Sequence, residues 1–151
     1  MPRFTTLSIA MLLAVPAATA SAQGAQAPVR VTTTAVARTT LFKILPGQGG
    51  AYNRDLVDHL IPIYEEYKKA GIIVDYSLFS KTTTESADDW GVGVTLVYAN
   101  FAALDNMAAK TDPITLKHYG SAEARAAAGN ARGAIRTVVQ SLITQRLSYT
   151  R

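Results

Sequence analysis

Two histidines, one tryptophan and seven tyrosines are the side chains of this sequence best suited to work at a binding or reaction site. His59 and His118 belong to no metal-ligand spacing such as His-x-x-x-His, and the absence of cysteine rules out a thiolate metal site and a disulfide framework. Adjacent Asp88 and Asp89 sit in a polar stretch and fall short of the six to eight oxygens calcium takes. No serine lies in a Gly-x-Ser-x-Gly elbow, and Pro46-Gly47-Gln48-Gly49-Gly50 lacks the Lys-Ser/Thr of a phosphate loop. What remains is pocket chemistry: a water-excluding site with a base or hydrogen-bond donor beside a small molecule. Tyr76, Trp90, Tyr98, His118 and Arg136 are the candidate ligand-binding residues, with Asp75 beside them. Each also has a structural reading. The aromatics suit a core or a subunit contact with one polar end wet, His59 suits a boundary position bonded to a carbonyl, and Asp75 suits an ion pair with Arg146.

These residues must be positioned by a small set of elements. The chain has 151 residues, is 48% hydrophobic and 17% charged, and carries a formal charge of +4. That composition excludes a disordered or fibrous protein. Basic residues are scattered and form no stripe interleaved with aromatics, which argues against nucleic-acid binding. Residues 1–22 read as a cleaved secretory signal: Arg3, then an apolar run from Leu7 to Ala18, then Ala20-Ser21-Ala22 ahead of the cut. The run is too short to span a bilayer, so no stable membrane insertion is expected after cleavage. The expected destination is the periplasm or the exterior. Residues 23–37 read as a flexible lead-in, and residues 38–151 as one α+β domain.

Within that domain, Thr39 to Leu45 is a strand stopped by Pro46-Gly47. An apolar stripe through Tyr52, Leu56, Leu60, Ile63 and Tyr67 makes a helix ending at Gly71, and Pro62 predicts a kink or break near Asp58. Ile72–Lys81 and Trp90–Tyr98 alternate as strands. The glycines at 91 and 93 suggest a bulge or strong twist, or the close approach of a backbone or ligand. Asn100 caps a helix expected over Phe101–Lys110, Asp112-Pro113 starts a second segment, and Ser121 starts a third to about Arg136, with Gly129-Asn130 as a possible interruption. Val139, Ser141, Ile143, Gln145, Leu147 and Tyr149 share one face of a last strand.

The order strand, helix, strand, strand, helices, strand is the ferredoxin-like βαββαβ arrangement: a four-stranded antiparallel sheet with helices on one face. Each strand has apolar residues on both faces, for example Ile73 and Phe79 against Val74 and Leu78. One helix layer buries one face, so a homodimer with sheets facing each other is expected.

Phe42-Lys43-Ile44-Leu45-Pro46-Gly47, the helix end Tyr67-Lys68-Lys69-Ala70-Gly71, and Asp89-Trp90 opening a strand resemble the dimeric α+β barrel superfamily over roughly Thr39 to Tyr149. The likeness is strongest to small exported members with no assigned activity. The superfamily also holds cofactor-independent monooxygenases and haem-degrading enzymes, and fold does not choose among them. For haem the resemblance makes only His118 and Trp90 eligible; the first strand offers Thr39 and Thr40 where those enzymes carry an asparagine. The expectation is therefore an exported homodimer without cofactor that binds a small apolar or aromatic ligand, with a monooxygenase-like enzyme and a haem-binding protein as alternatives.

Overall fold

The computed structural model describes residues 30–83 and 85–150; the signal segment 1–22 and residues 23–29 lie outside them. Strand β1 runs Arg30–Ile44, so it begins inside the stretch read as a lead-in. The reason is a β-branched run, Val31 to Thr34, of which Val31, Thr32 and Thr33 pair residue by residue with the end of the last strand before the register shifts ahead of Val36. Strands β2 (Asp75–Ser80), β3 (Val92–Tyr98) and β4 (Arg136–Thr150) complete one antiparallel sheet in the order β2-β3-β1-β4. This is the ferredoxin-like topology expected from the sequence. β2 and β3 each start later than their alternation suggested, at Asp75 and Val92. The register of β1 on β4 shifts between Leu41 and Phe42, where Val139 is the extra residue of a bulge. Val138 therefore takes the place opposite Phe42.

The first helical stretch is α1 (Gly49–Asp55), a π-helical turn (Leu56–Leu60) and α2 (Ile61–Lys69). The turn spans Asp58, where Pro62 predicted a break. Pro62 has no N–H to offer, and the Ile61 N–H donates instead to the Leu56 carbonyl five residues back. Gly71 adopts φ +69°, the left-handed conformation that closes the helix. Asn100 caps as expected, accepting at Oδ1 from the Ala103 N–H at 3.0 Å, but what it caps is a short 3₁₀ turn, Phe101–Leu104. The longer helix α3 starts at Met107 and runs to Tyr119, so Asp112-Pro113 lies inside it. Asp112 does not cap; its carboxylate binds Arg125 at 2.7 Å on the next helix. Ser121 caps α4 (Ala122–Ile135), accepting from the Ala124 N–H at 3.1 Å, and Gly129-Asn130 leaves that alanine-rich helix intact.

Helices cover one sheet face. Val36, Tyr98, Ile63, Tyr67 and Ile73 form the buried centre beneath them. The opposite face carries Thr39 and Thr95, whose hydroxyls bond at 2.8 Å, and beside them Leu41, Gly93 and Phe79. The Phe79 ring lies where a Gly93 side chain would be. The glycine thus admits a neighbouring aromatic ring, and β3 pairs in unbroken register on both sides. This face is more hydroxyl-rich than the sequence reading had it. Several of the large exposed apolar side chains lie along β4, among them Val138, Ile143 (49% exposed), Leu147 and Tyr149; Val57, Val74 and Phe101 are exposed elsewhere.

Candidate functional site

The π-helical turn re-aims the helix and brings His59 against His118, near the end of α3. Both histidines of the chain meet, His59 Nδ1 lying 3.0 Å from His118 Nε2 with the rings almost perpendicular. Such a contact holds one proton between two nitrogens, so one ring donates and the other accepts. The Tyr119 ring packs on both, with centroids 5.2 Å from His59 and 4.8 Å from His118. Arg132 of α4 donates to the Tyr119 hydroxyl and pairs with Asp55 of α1 at 3.2 Å. Asp55 and Arg132 are 13% and 18% exposed, and Asp55 Oδ2 has no partner. Burial first, then the His59 ring and the Arg132 cation, hold His118 below the ordinary histidine range. The neutral form of His118 is therefore favoured.

His118 opens onto a groove of about 440 Å³ lined by Ile63, Glu66, Pro113, Ile114 and Lys117. His59 lines a second, smaller cleft of about 310 Å³ together with Asp55 and Arg132. The histidine pair therefore separates two clefts.

The other predicted residues lie elsewhere. Arg136 sits where α4 passes into β4, its guanidinium 4.2 Å from the Phe42 ring centroid and 5.9 Å from that of Tyr52. Tyr64, whose proton affinity is most affected by burial and next by Arg136, is pushed up to about 12. Tyr76 donates to Glu65 at 2.6 Å, a bond that with partial burial raises it to about 12. Tyr98 is 0% exposed, in the core, and its hydroxyl has no partner among the described residues. Trp90 precedes β3 and stacks edge-on against Phe79, on the side of the sheet away from the helices. The five candidates thus do not line one pocket. The expected Asp75–Arg146 pair does not form: β2 and β4 are opposite edges of the sheet, and Asp75 binds Lys68 at 2.8 Å instead. Asp88 and Asp89 are paired with Lys43 and Lys81.

These positions do not fit a haem. His118 turns Nε2 to His59, and Trp90 lies across the sheet from it, so the two residues eligible by resemblance share no cavity among the described residues. Among those residues no cluster of three or more His, Cys, Asp or Glu is placed to hold a metal.

The sequence reading gave His59 a bonding role at a boundary and did not single out Asp55, Tyr119 or Arg132. The signal for His59 was Pro62 three residues on, which displaces the turn carrying it. Nothing local marks Arg132, which reaches Asp55 across 77 positions.

No family model matches the chain, and no curated protein matches it. Solved structures do. HapK from Hahella chejuensis superposes with a TM-score of 0.50 at 11% identity, over 74% of this chain and 91% of that one. An ethyl tert-butyl ether d (EthD) family protein from Bacillus halodurans gives 0.44 at 10% identity, over 75% and 98%. A protein from Jannaschia sp. CCS1, described as dimeric, ferredoxin-like and of unknown function, gives 0.42 at 14%, over 74% and 97%. What this chain shares with HapK at such identity is the ferredoxin-like α+β fold.

Proposed function

We propose that this chain is an exported homodimeric protein that binds a small aromatic or apolar molecule carrying one hydrogen-bonding oxygen, such as a phenol. The observation that carries this reading is the groove beside His118. Its floor is Ile63, Pro113 and Ile114, its volume falls in the range of small-molecule pockets, and its polar groups are Glu66, Lys117 and the His118 imidazole, which is held below the ordinary histidine range. Lys117 at its edge makes no ion pair among the described residues. Isothermal titration with substituted phenols tests it. His118→Ala and the groove-filling Ile114→Trp should each weaken binding about tenfold or more. Equal affinity in both variants contradicts the reading.

The dimer rests on three features. Among the described residues β4, 15 residues long, is an edge strand of the sheet. It also exposes Ile143, Leu147 and Tyr149. β3 pairs no further along β1 than Val36, so the ends of β1 and β4 form a two-stranded ribbon, marginal alone in water. A second copy supplies cover for all three. Export rests on the signal read in residues 1–22, and the mature N-terminus expected by mass spectrometry is Gln23.

The contact of His118 with His59, and the lowered proton affinity of His118, favour a second reading, an enzyme in which His118 takes a proton from the bound phenol before reaction with oxygen. Oxygen consumption on adding the bound phenol, abolished in His118→Ala, separates it from binding alone.

A further inference from the structure

α4 ends at Ile135 and β4 begins at Arg136 with no loop between, which fixes the arginine against the sheet beneath the helix end. Its guanidinium stacks on Phe42, and its Nη1 is buried without a partner. The one carboxylate that acts on it, Asp55, is paired with Arg132, and Arg136 makes no ion pair among the described residues. A desolvated cation without a counter-ion is unfavourable, and an anion from outside the chain would relieve it. There is room for one. A cleft of about 220 Å³ opens here, lined by Phe42, Gly129, Arg132, Gly133, Arg136 and Val138. Gly129 and Gly133 lie one turn apart, and a Cβ at either would meet nothing within 4 Å.

We infer that this cleft binds a small carboxylate through Arg136, at a site separate from the His118 groove. A guanidinium lying over an aromatic ring keeps the donors of its planar fork, which matches a carboxylate in two parallel hydrogen bonds. Arg132 adds a second positive charge at the same wall, while Phe42 and the exposed Val138 provide apolar contact for the body of the molecule. Burial already draws Arg136 below its ordinary proton affinity, and a bound carboxylate would restore it.

Isothermal titration of the purified protein with sodium benzoate, neutral benzamide and inorganic phosphate tests this site. The expected result is saturable benzoate binding and none with benzamide. Arg136→Gln should weaken benzoate about tenfold or more, with Arg136→Lys between the two because it keeps the charge and loses the fork. Gly133→Leu should weaken it as well, by filling the cleft from α4. That variant keeps the test sharp should Arg136→Gln fail to fold, since Gly133 is exposed and leucine favours a helix over glycine. No saturable benzoate binding to the wild-type protein overturns the inference. So does undiminished affinity in Arg136→Gln or Gly133→Leu, or phosphate binding in place of benzoate. Loss of benzoate binding on Ile114→Trp alone would put the ligand in the other groove and also overturn it.

Discussion

Acid should loosen this protein through its histidine pair before it touches the carboxylates. His118 is held below the ordinary histidine range by burial, by the His59 ring and by the Arg132 cation. In the unfolded chain it titrates near the ordinary histidine value of 6.5. Between the depressed folded value and 6.5 the unfolded chain binds more protons, so stability is complete above that window and falls as pH drops through it. Each unit by which the two values differ corresponds to about 1.4 kcal/mol. The groups facing the pair do not offset this: Arg132 and Lys117 are cationic, Asp55 is bound to Arg132 and Glu66 to Lys69, and neither these carboxylates nor Asp58 beside His59 raises His118. A proton on each ring also breaks the 3.0 Å contact, since both nitrogens would then be donors. His59→Phe keeps a ring against Tyr119 while removing that bond and one cause of the His118 shift. Its loss at pH 8 should be about 1–2 kcal/mol, one hydrogen bond plus a partly buried nitrogen left unpaired. The assay is urea unfolding at half-unit steps from pH 8 to 5, at fixed protein concentration because assembly contributes. Wild-type stability should fall across this range, and the fall should be shallower in His59→Phe. A flat or rising profile on acidification, or the same slope in the variant, refutes the reasoning.

Gly93→Ala would drive a methyl group into the Phe79 ring and to 2.9 Å from Leu41 Cδ2, so urea unfolding should show a loss of about 1–3 kcal/mol; an unchanged midpoint would contradict the packing described. Tyr98→Phe removes a buried hydroxyl that has no partner among the described residues, and stability should hold or rise by up to about 1 kcal/mol; a clear loss would reveal a partner for that group. Arg132→Gln strips the Asp55 carboxylate of its cation in a largely buried place and should cost about 3 kcal/mol in the same assay, whereas a loss under about 0.5 kcal/mol would mean the pair is solvated.

The sheet and its order were legible because alternation in β2, β3 and β4 and the apolar stripe through Tyr52, Ile63 and Tyr67 are local patterns. Pro62 gave away the irregular turn because a missing N–H is a property of one residue. Pro113 misled for a related reason. Asp-Pro is a good helix start in isolation, yet the Asp112 carboxylate is taken by Arg125 on the next helix, and the helix begins six residues earlier, at Met107. The site was less legible than the fold. His59 and His118 are 59 positions apart, and Asp55 and Arg132 are 77 apart. Only the packing of α1, α3 and α4 brings such residues together. Asp75 and Arg146 show the converse: opposite charges on two strands, placed on opposite edges by the strand order.

The claim on which the functional account turns is that ligand occupies the groove at His118. Backbone chemical-shift mapping during titration with the tightest-binding phenol tests it directly. The account predicts that the largest shifts fall at Ile63, Ile114, Lys117 and His118. Shifts concentrated instead on the uncovered sheet face, at Ala37, Val97 and Thr144, would contradict it.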